Sequence, residues 1–183
     1  MKFPYFHPAA ASISPGSCGN GFQSQSVQQG LQITLIENQN TMGDTIMGSF
    51  ACFVDDGSGD PPTQTITNVY NAVFAARAFS VQPFVAGPNV LAVTISLNVR
   101  LASGALIGTV GPLVQAAIVA STNILLTAAT LFVSAVEAAA LSAAGVAAVQ
   151  PGATLLNGSN ADLVPASNQE IRTATGSITV GTY

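Results

Sequence analysis

Charged residues make up only 7% of this 183-residue chain, against roughly a quarter of an ordinary soluble protein. None at all lies between Arg100 and Glu137. The hydrophobic share, 49%, is close to the usual value, so the missing charge has been replaced by Ser, Thr, Asn, Gln, Gly and Ala. Disorder goes with low hydrophobicity and high net charge, the opposite corner of composition space, which excludes an unfolded, tail-like chain. Soluble monomers normally cover themselves with Lys, Glu, Asp and Arg and so keep apart. Here that protection is thin, and a neutral polar surface suits packed contacts, where each buried charge would cost desolvation energy.

Basic residues are as scarce. Lys2, Arg77, Arg100 and Arg172 are scattered along the chain and cannot form the phosphate-neutralising patch that nucleic acid requires, so nucleic acid is not an expected partner. There is no polybasic segment for anionic lipid either. His7 is the single histidine, set between Phe6 and Pro8, and no nucleophile elbow or triad signature accompanies it. Clustering of the acids in one loop leaves no carboxylate pair for glycoside chemistry. Gly19-Asn20-Gly21 lacks the Lys and the strand-to-helix setting of a phosphate loop. Catalysis is therefore not expected. After Met1–Pro8 no apolar run of signal-peptide length follows.

Cysteine is limited to Cys18 and Cys52, with no C-x-x-C pair and no Cys/His zinc spacing. These thiols are open to three readings: buried free cysteines, an intrachain bridge, or cross-links between subunits in an oxidising setting. Cys52, at an inward strand position, reads most simply as a core thiol. Cys18, in a Ser-Gly-Asn-Gly setting, is the better cross-link candidate.

What the chain does have is organised strand-rich sequence, in a length that suits one domain. Residues 1–29 read as an extended N-terminal arm, because Pro4, Pro8 and Pro15 forbid a continuous helix and Gly16, Gly19 and Gly21 supply turns. The arm carries the anchors Phe3, Tyr5, Phe6, Ile13 and Phe22, which gain by burial either on a neighbouring subunit or along the arm's own domain. Residues 30–183 form a β-rich assembly domain. Leu31, Ile33 and Leu35 alternate with polar neighbours, Ser49–Val54 is a second strand, and Leu91–Leu101 alternates strictly, with one apolar and one polar face. Thr63–Ser80 fits either helix or strand. Ser103-Gly104 reads as a hairpin turn that returns Ala105–Val110 beside the long strand, and Ser177–Val180 is a last short strand.

Asp55-Asp56-Gly57-Ser58-Gly59-Asp60 gathers three of the eight acidic residues. Carboxylates on a Gly-rich turn are the raw material of a calcium site, so Asp55, Asp56 and Asp60 are the metal candidates, although no downstream bidentate Glu completes the loop. A solvated turn between strands explains the same residues.

The neutral run has three places to hide: a membrane, the centre of a monomer, or a contact between identical subunits. Its second half, Leu113–Val136, is rich in β-branched residues, and its large side chains spread around a helical wheel. It therefore reads as strands apolar on both faces, covered by a second sheet and by another copy of the protein. Gly111-Pro112 reads as a break. An Ala-rich helix is expected near residues 137–148, ended by Gly145.

The fold class expected is mainly β, a single antiparallel β-sandwich or jelly-roll-like domain with an extended arm. The function expected is a structural subunit that assembles with copies of itself into a filament, surface layer or particle shell, at an extracellular, cell or spore surface or in a virion. The alternative is a membrane protein with one or two spans within residues 106–136, since about 20 apolar residues cross a bilayer. Against it stand Gln115, Ser121-Thr122-Asn123 and the lack of flanking Lys or Arg. A third reading is a small calcium-dependent binding domain.

Overall fold

The computed structural model describes residues 31–183. The arm, and with it Phe3, Tyr5, Phe6, His7, Ile13, Cys18 and Phe22, lies outside the described residues.

The described chain begins with two antiparallel strands, β1 (Gln32–Gln39) and β2 (Thr45–Asp55), in register so that Leu35 faces Cys52. Asn40 shapes the turn between them: its Oδ1 accepts from the N–H of Met42 and of Asp44, each at 2.9 Å, the local bonding that suits Asn to turns. After β2 the chain crosses over through helix α1 (Thr63–Ala76) to β3 (Gln82–Ala86), which lies parallel to β2. The segment that fitted helix or strand is thus a helix, because a parallel return needs a crossover. Ile66, Val69 and Val73, three and four residues apart, are its half-buried side.

The second part of the chain is built on the strictly alternating segment, which divides into β4 (Asn89–Ala92) and β5 (Ile95–Leu101). At the division the N–H of Thr94 donates to Asn157 Oδ1 at 2.9 Å, and the Thr94 carbonyl accepts from the N–H of Asn157 at 2.8 Å. The apolar face is the one expected: Val93, Ile95, Leu97 and Val99 are all buried. β5 is flanked by β6 (Val146–Val149) and β7 (Leu155–Leu156), both antiparallel to it, and by β9 (Ile178–Thr182), parallel to it. β4 pairs in parallel with β8 (Gln169–Arg172).

Leu113–Val136 is where the sequence reading is corrected. It forms no pair of doubly covered strands; helices α2 (Ile107–Thr122) and α3 (Val133–Ser142) take its place and lie on the apolar face of the β5 sheet. Val110, Val114, Ile118 and Thr122 recur every four residues and are the buried side of α2. That stripe decides the matter, because β-branched residues favour strands only where a sheet is there to receive them. Gly111-Pro112 is no break either. Pro112 sits inside α2, where it removes one backbone donor and the rest of the helix persists. The turn at Ser103-Gly104 feeds α2 and not a returning strand.

The Ala-rich helix is present but shifted toward the N-terminus, ending at Ser142 and giving way to β6. Gly145 follows with φ of +91°, and a Cβ there would lie 2.7 Å from Val110 Cγ2. Both facts require glycine.

Over the described residues the fold is therefore mixed and strand-rich, with three helices and open sheets. The antiparallel expectation holds only in part, since β2–β3, β4–β8 and β5–β9 run parallel. One hydrophobic cluster unites β5, α2, α3, Leu131, Leu156, Ile171 and Ile178. All its buried members lie at or beyond Val93. Residues 31–86 form a separate lobe. The described polar links between lobe and core are side-chain contacts, including Gln39 Nε2 to Ser167 Oγ at 2.9 Å and Asn168 Nδ2 to the Thr41 carbonyl at 3.3 Å.

Candidate functional site

The acidic loop after β2 folds in on itself. Asp56 Oδ1 accepts from the backbone N–H of Ser58 at 3.0 Å and from its hydroxyl at 2.5 Å. These bonds, the hydroxyl's first, hold the Asp56 carboxyl below its ordinary range. Ser58 Oγ in turn accepts from the N–H of Asp60 at 3.0 Å, and Asp55 Oδ1 accepts from the N–H of Gly59 at 2.8 Å. Asp56 and Asp60 are exposed while Asp55 is buried. Among the described residues no three His, Cys, Asp or Glu side chains are placed to hold a metal ion together. Of the three, the Asp55 carboxylate bonds Gly59 and Arg172, the Asp56 carboxylate bonds Ser58, and Asp60 is bonded through its backbone N–H.

Asp55 points at a cation of the protein itself. Its Oδ2 lies 2.5 Å from Arg172 Nη2, and the same nitrogen contacts Glu170 Oε1. Glu170 is fully buried. Burial pushes its carboxyl up to about 7, an effect that Arg172 opposes and neighbouring Asp55 reinforces. Arg172 Nη1 also donates to the Leu125 carbonyl at 3.3 Å, while Glu170 Oε2 and Arg172 Nε have no hydrogen-bond partner among the described residues. Glu170 and Arg172 went unnoticed in the sequence. The signal was there, because Gln169-Glu170-Ile171-Arg172 places two of the chain's few charges two residues apart, on one side of a strand.

Cys52 is a buried free thiol in the middle of β2, and burial pushes its pKa up to about 12. Only the thiolate attacks a disulfide, so this environment suits a core thiol and not a reactive one. Its proposed cross-link partner, Cys18, lies outside the described residues.

No protein-family model matches the chain, and no curated protein matches it in sequence. Chemistry and surface are what bear on its function.

Two of the described clefts lie on the lobe, and a third, of about 490 Å³, lies beside α3 between Val133, Glu137, Gly152 and Asp162. A groove of about 330 Å³ runs between Leu35, Glu37, Phe50 and Val81. A second, of about 340 Å³, lies between α1 and β3 beside Tyr70, Phe74, Arg77 and Phe79. The Tyr70 and Phe74 rings stack with centroids 5.7 Å apart, and Arg77 Cζ lies 4.0 Å above the Phe74 ring.

The outer side of the helical layer differs from the two clefts on the lobe. Leu113 on α2 and Leu141 on α3 are exposed, as are Leu106, Ile107 and Phe132 at the N-terminal ends of these helices, Leu106 by 71%. Between Leu101 and Ala161 the only charged residue is Glu137, which accepts from the Thr154 hydroxyl at 2.9 Å. Among the described residues no helix is long and apolar enough to cross a membrane.

Proposed function

We propose that the protein is a structural subunit that assembles with copies of itself. The observation that carries this reading is the set of large apolar side chains exposed on α2 and α3 and at their N-terminal ends, with no charge anywhere on α2. A helix apolar all round is normally covered on every side. The core covers only the inner side of α2. A neutral face can meet its own copy without like-charge repulsion, and an isologous pairing buries the same residues twice. The absence of Lys and Arg between Arg100 and Arg172 disfavours a lipid headgroup as the covering surface.

Within this reading, Phe3, Tyr5, Phe6, Ile13 and Phe22 supply further anchors for a neighbouring copy. The assembled form is a filament, surface layer or shell, at a cell or spore surface or in a virion. The sandwich or jelly-roll geometry is a finer description than open sheets support, and assembly does not depend on it.

Light scattering on the full chain, prepared without detergent, tests the reading. The expected result is a mass several times that of one chain, falling toward a single chain when Leu113 and Leu141 are both changed to Glu. A monodisperse monomer in the unaltered protein would sink it, and recovery only in micelles would favour the membrane alternative.

A further inference from the structure

The Asp55–Arg172–Glu170 cluster joins the two described parts of the molecule and, among the described residues, contains two acids for one base. Asp55 belongs to β2 in the lobe; Glu170 and Arg172 belong to β8, beside the core. Their side chains are 4%, 0% and 10% exposed, so water contributes little to balancing the charge. The loop that follows Asp55 closes over the cluster: a Cβ at Gly59 would lie 2.9 Å from Val90 Cγ2 and 3.6 Å from Arg172 Nε. From β4 and from the α2–α3 connection no charged side chain is available to the cluster, because residues 89–92 and 123–132 contain none. Asp56 and Asp60, on the covering loop, are exposed.

A buried site of this kind is held best when its charges cancel, and an unmatched charge in it is strongly destabilising. Two ionised carboxylates around one guanidinium leave one negative charge over. We propose that the cluster is a pH-operated clasp: with one carboxyl protonated it holds the β1–β3 lobe on the core, and with both ionised it lets the lobe loosen. Glu170 is the group that takes the proton, on Oε2, since Oε1 is occupied by Arg172 and Oε2 has no hydrogen-bond partner among the described residues.

The direction follows from linkage. Glu170 is raised from its ordinary 4.5 to about 7 in the folded chain, so between these values the closed state binds more protons than the open one. Its contribution to holding the lobe is complete below 4.5 and is lost as pH rises through about 7. The clasp is tight in mild acid and loose in mild base.

Amide exchange on the full chain at pH 5.5 and pH 8, corrected for the intrinsic pH dependence of exchange, tests the clasp. Protection of β2 and β3 relative to β5 is expected to fall on the order of tenfold between the two conditions. Glu170→Gln keeps the shape and the acceptor but removes the titration, and is expected to abolish that fall. Asp55→Asn removes the neighbouring carboxylate that pushes Glu170 up, and is expected to move the midpoint to lower pH. An unaltered chain whose relative protection does not change with pH would overturn the proposal, and so would a Glu170→Gln variant that keeps the full slope. Should Glu170→Gln not fold, an unmoved midpoint in Asp55→Asn would overturn it as well.

Discussion

Helices α1 and α2 are of similar length, yet they use their sheets in opposite ways. α2 sinks Val110, Val114, Ile118 and Thr122 into a common core with β5, and α3 adds Val136 and Ala140. α1 buries no residue, and leaves Tyr70 and Phe74 exposed. The difference lies beneath the helices. α2 covers a sheet whose central strand, β5, presents a row of branched side chains to it; α1 bridges the parallel strands β2 and β3 of a three-stranded sheet. Both regions remove apolar area from water, but the buried Ala51, Cys52, Phe53 and Val54 of β2 lie outside the cluster around β5, and of the described polar links between the two regions the Arg172 cluster is the most buried.

The same substitution should therefore have unequal effects in the two regions. Val114→Asp places a carboxylate at a fully buried position and is expected to cost about 4 kcal/mol or more, enough to leave little folded protein by circular dichroism. Val73→Asp, on the half-buried side of α1, is expected to cost about 1 kcal/mol and to leave the thermal transition in place. Equal losses would break the comparison.

Next in size is the pair of arginines. Arg172→Ala strands two buried carboxylates, a change expected to cost about 3–5 kcal/mol and to release the lobe before the core melts. Arg77→Ala removes a contact over an exposed ring and the hydrogen bonds to the Phe79 and Val81 carbonyls, with an expected loss of about 1 kcal/mol. Urea titration followed by tyrosine fluorescence would read both, Tyr70 reporting on the lobe.

How much of this could be read from residues alone varies with the kind of signal. The alternation of Leu91–Leu101 keeps its apolar face, because a period of two sorts side chains onto faces wherever the strand ends up, although the segment divides into β4 and β5 in different sheets. β1, β2 and β9 were legible for the same reason. α2 was misread because its four-residue stripe of branched residues was hidden among other apolar residues on the outer face, so no clear polar side stood opposite. Those exposed residues are part of the set the assembly proposal rests on: what concealed the helix is also what leaves it uncovered. In the acidic loop, clustering suggested a metal, while the decisive partner, Arg172, lies 117 positions away from Asp55. Pairings over such a distance leave no local pattern. The parallel pairing of β5 with β9 and of β4 with β8 was hidden for the same reason.

The most direct test of a well-packed core carrying a more loosely held lobe is native-state amide exchange, resolved by residue, on the full chain at pH 6. The expected result is that amides of β5 and the inner turns of α2 exchange only through global unfolding, while those of β2 and β3 open at a distinctly lower free energy, as a cooperative unit. A single free energy of opening shared by β2, β3, β5 and α2 would contradict it.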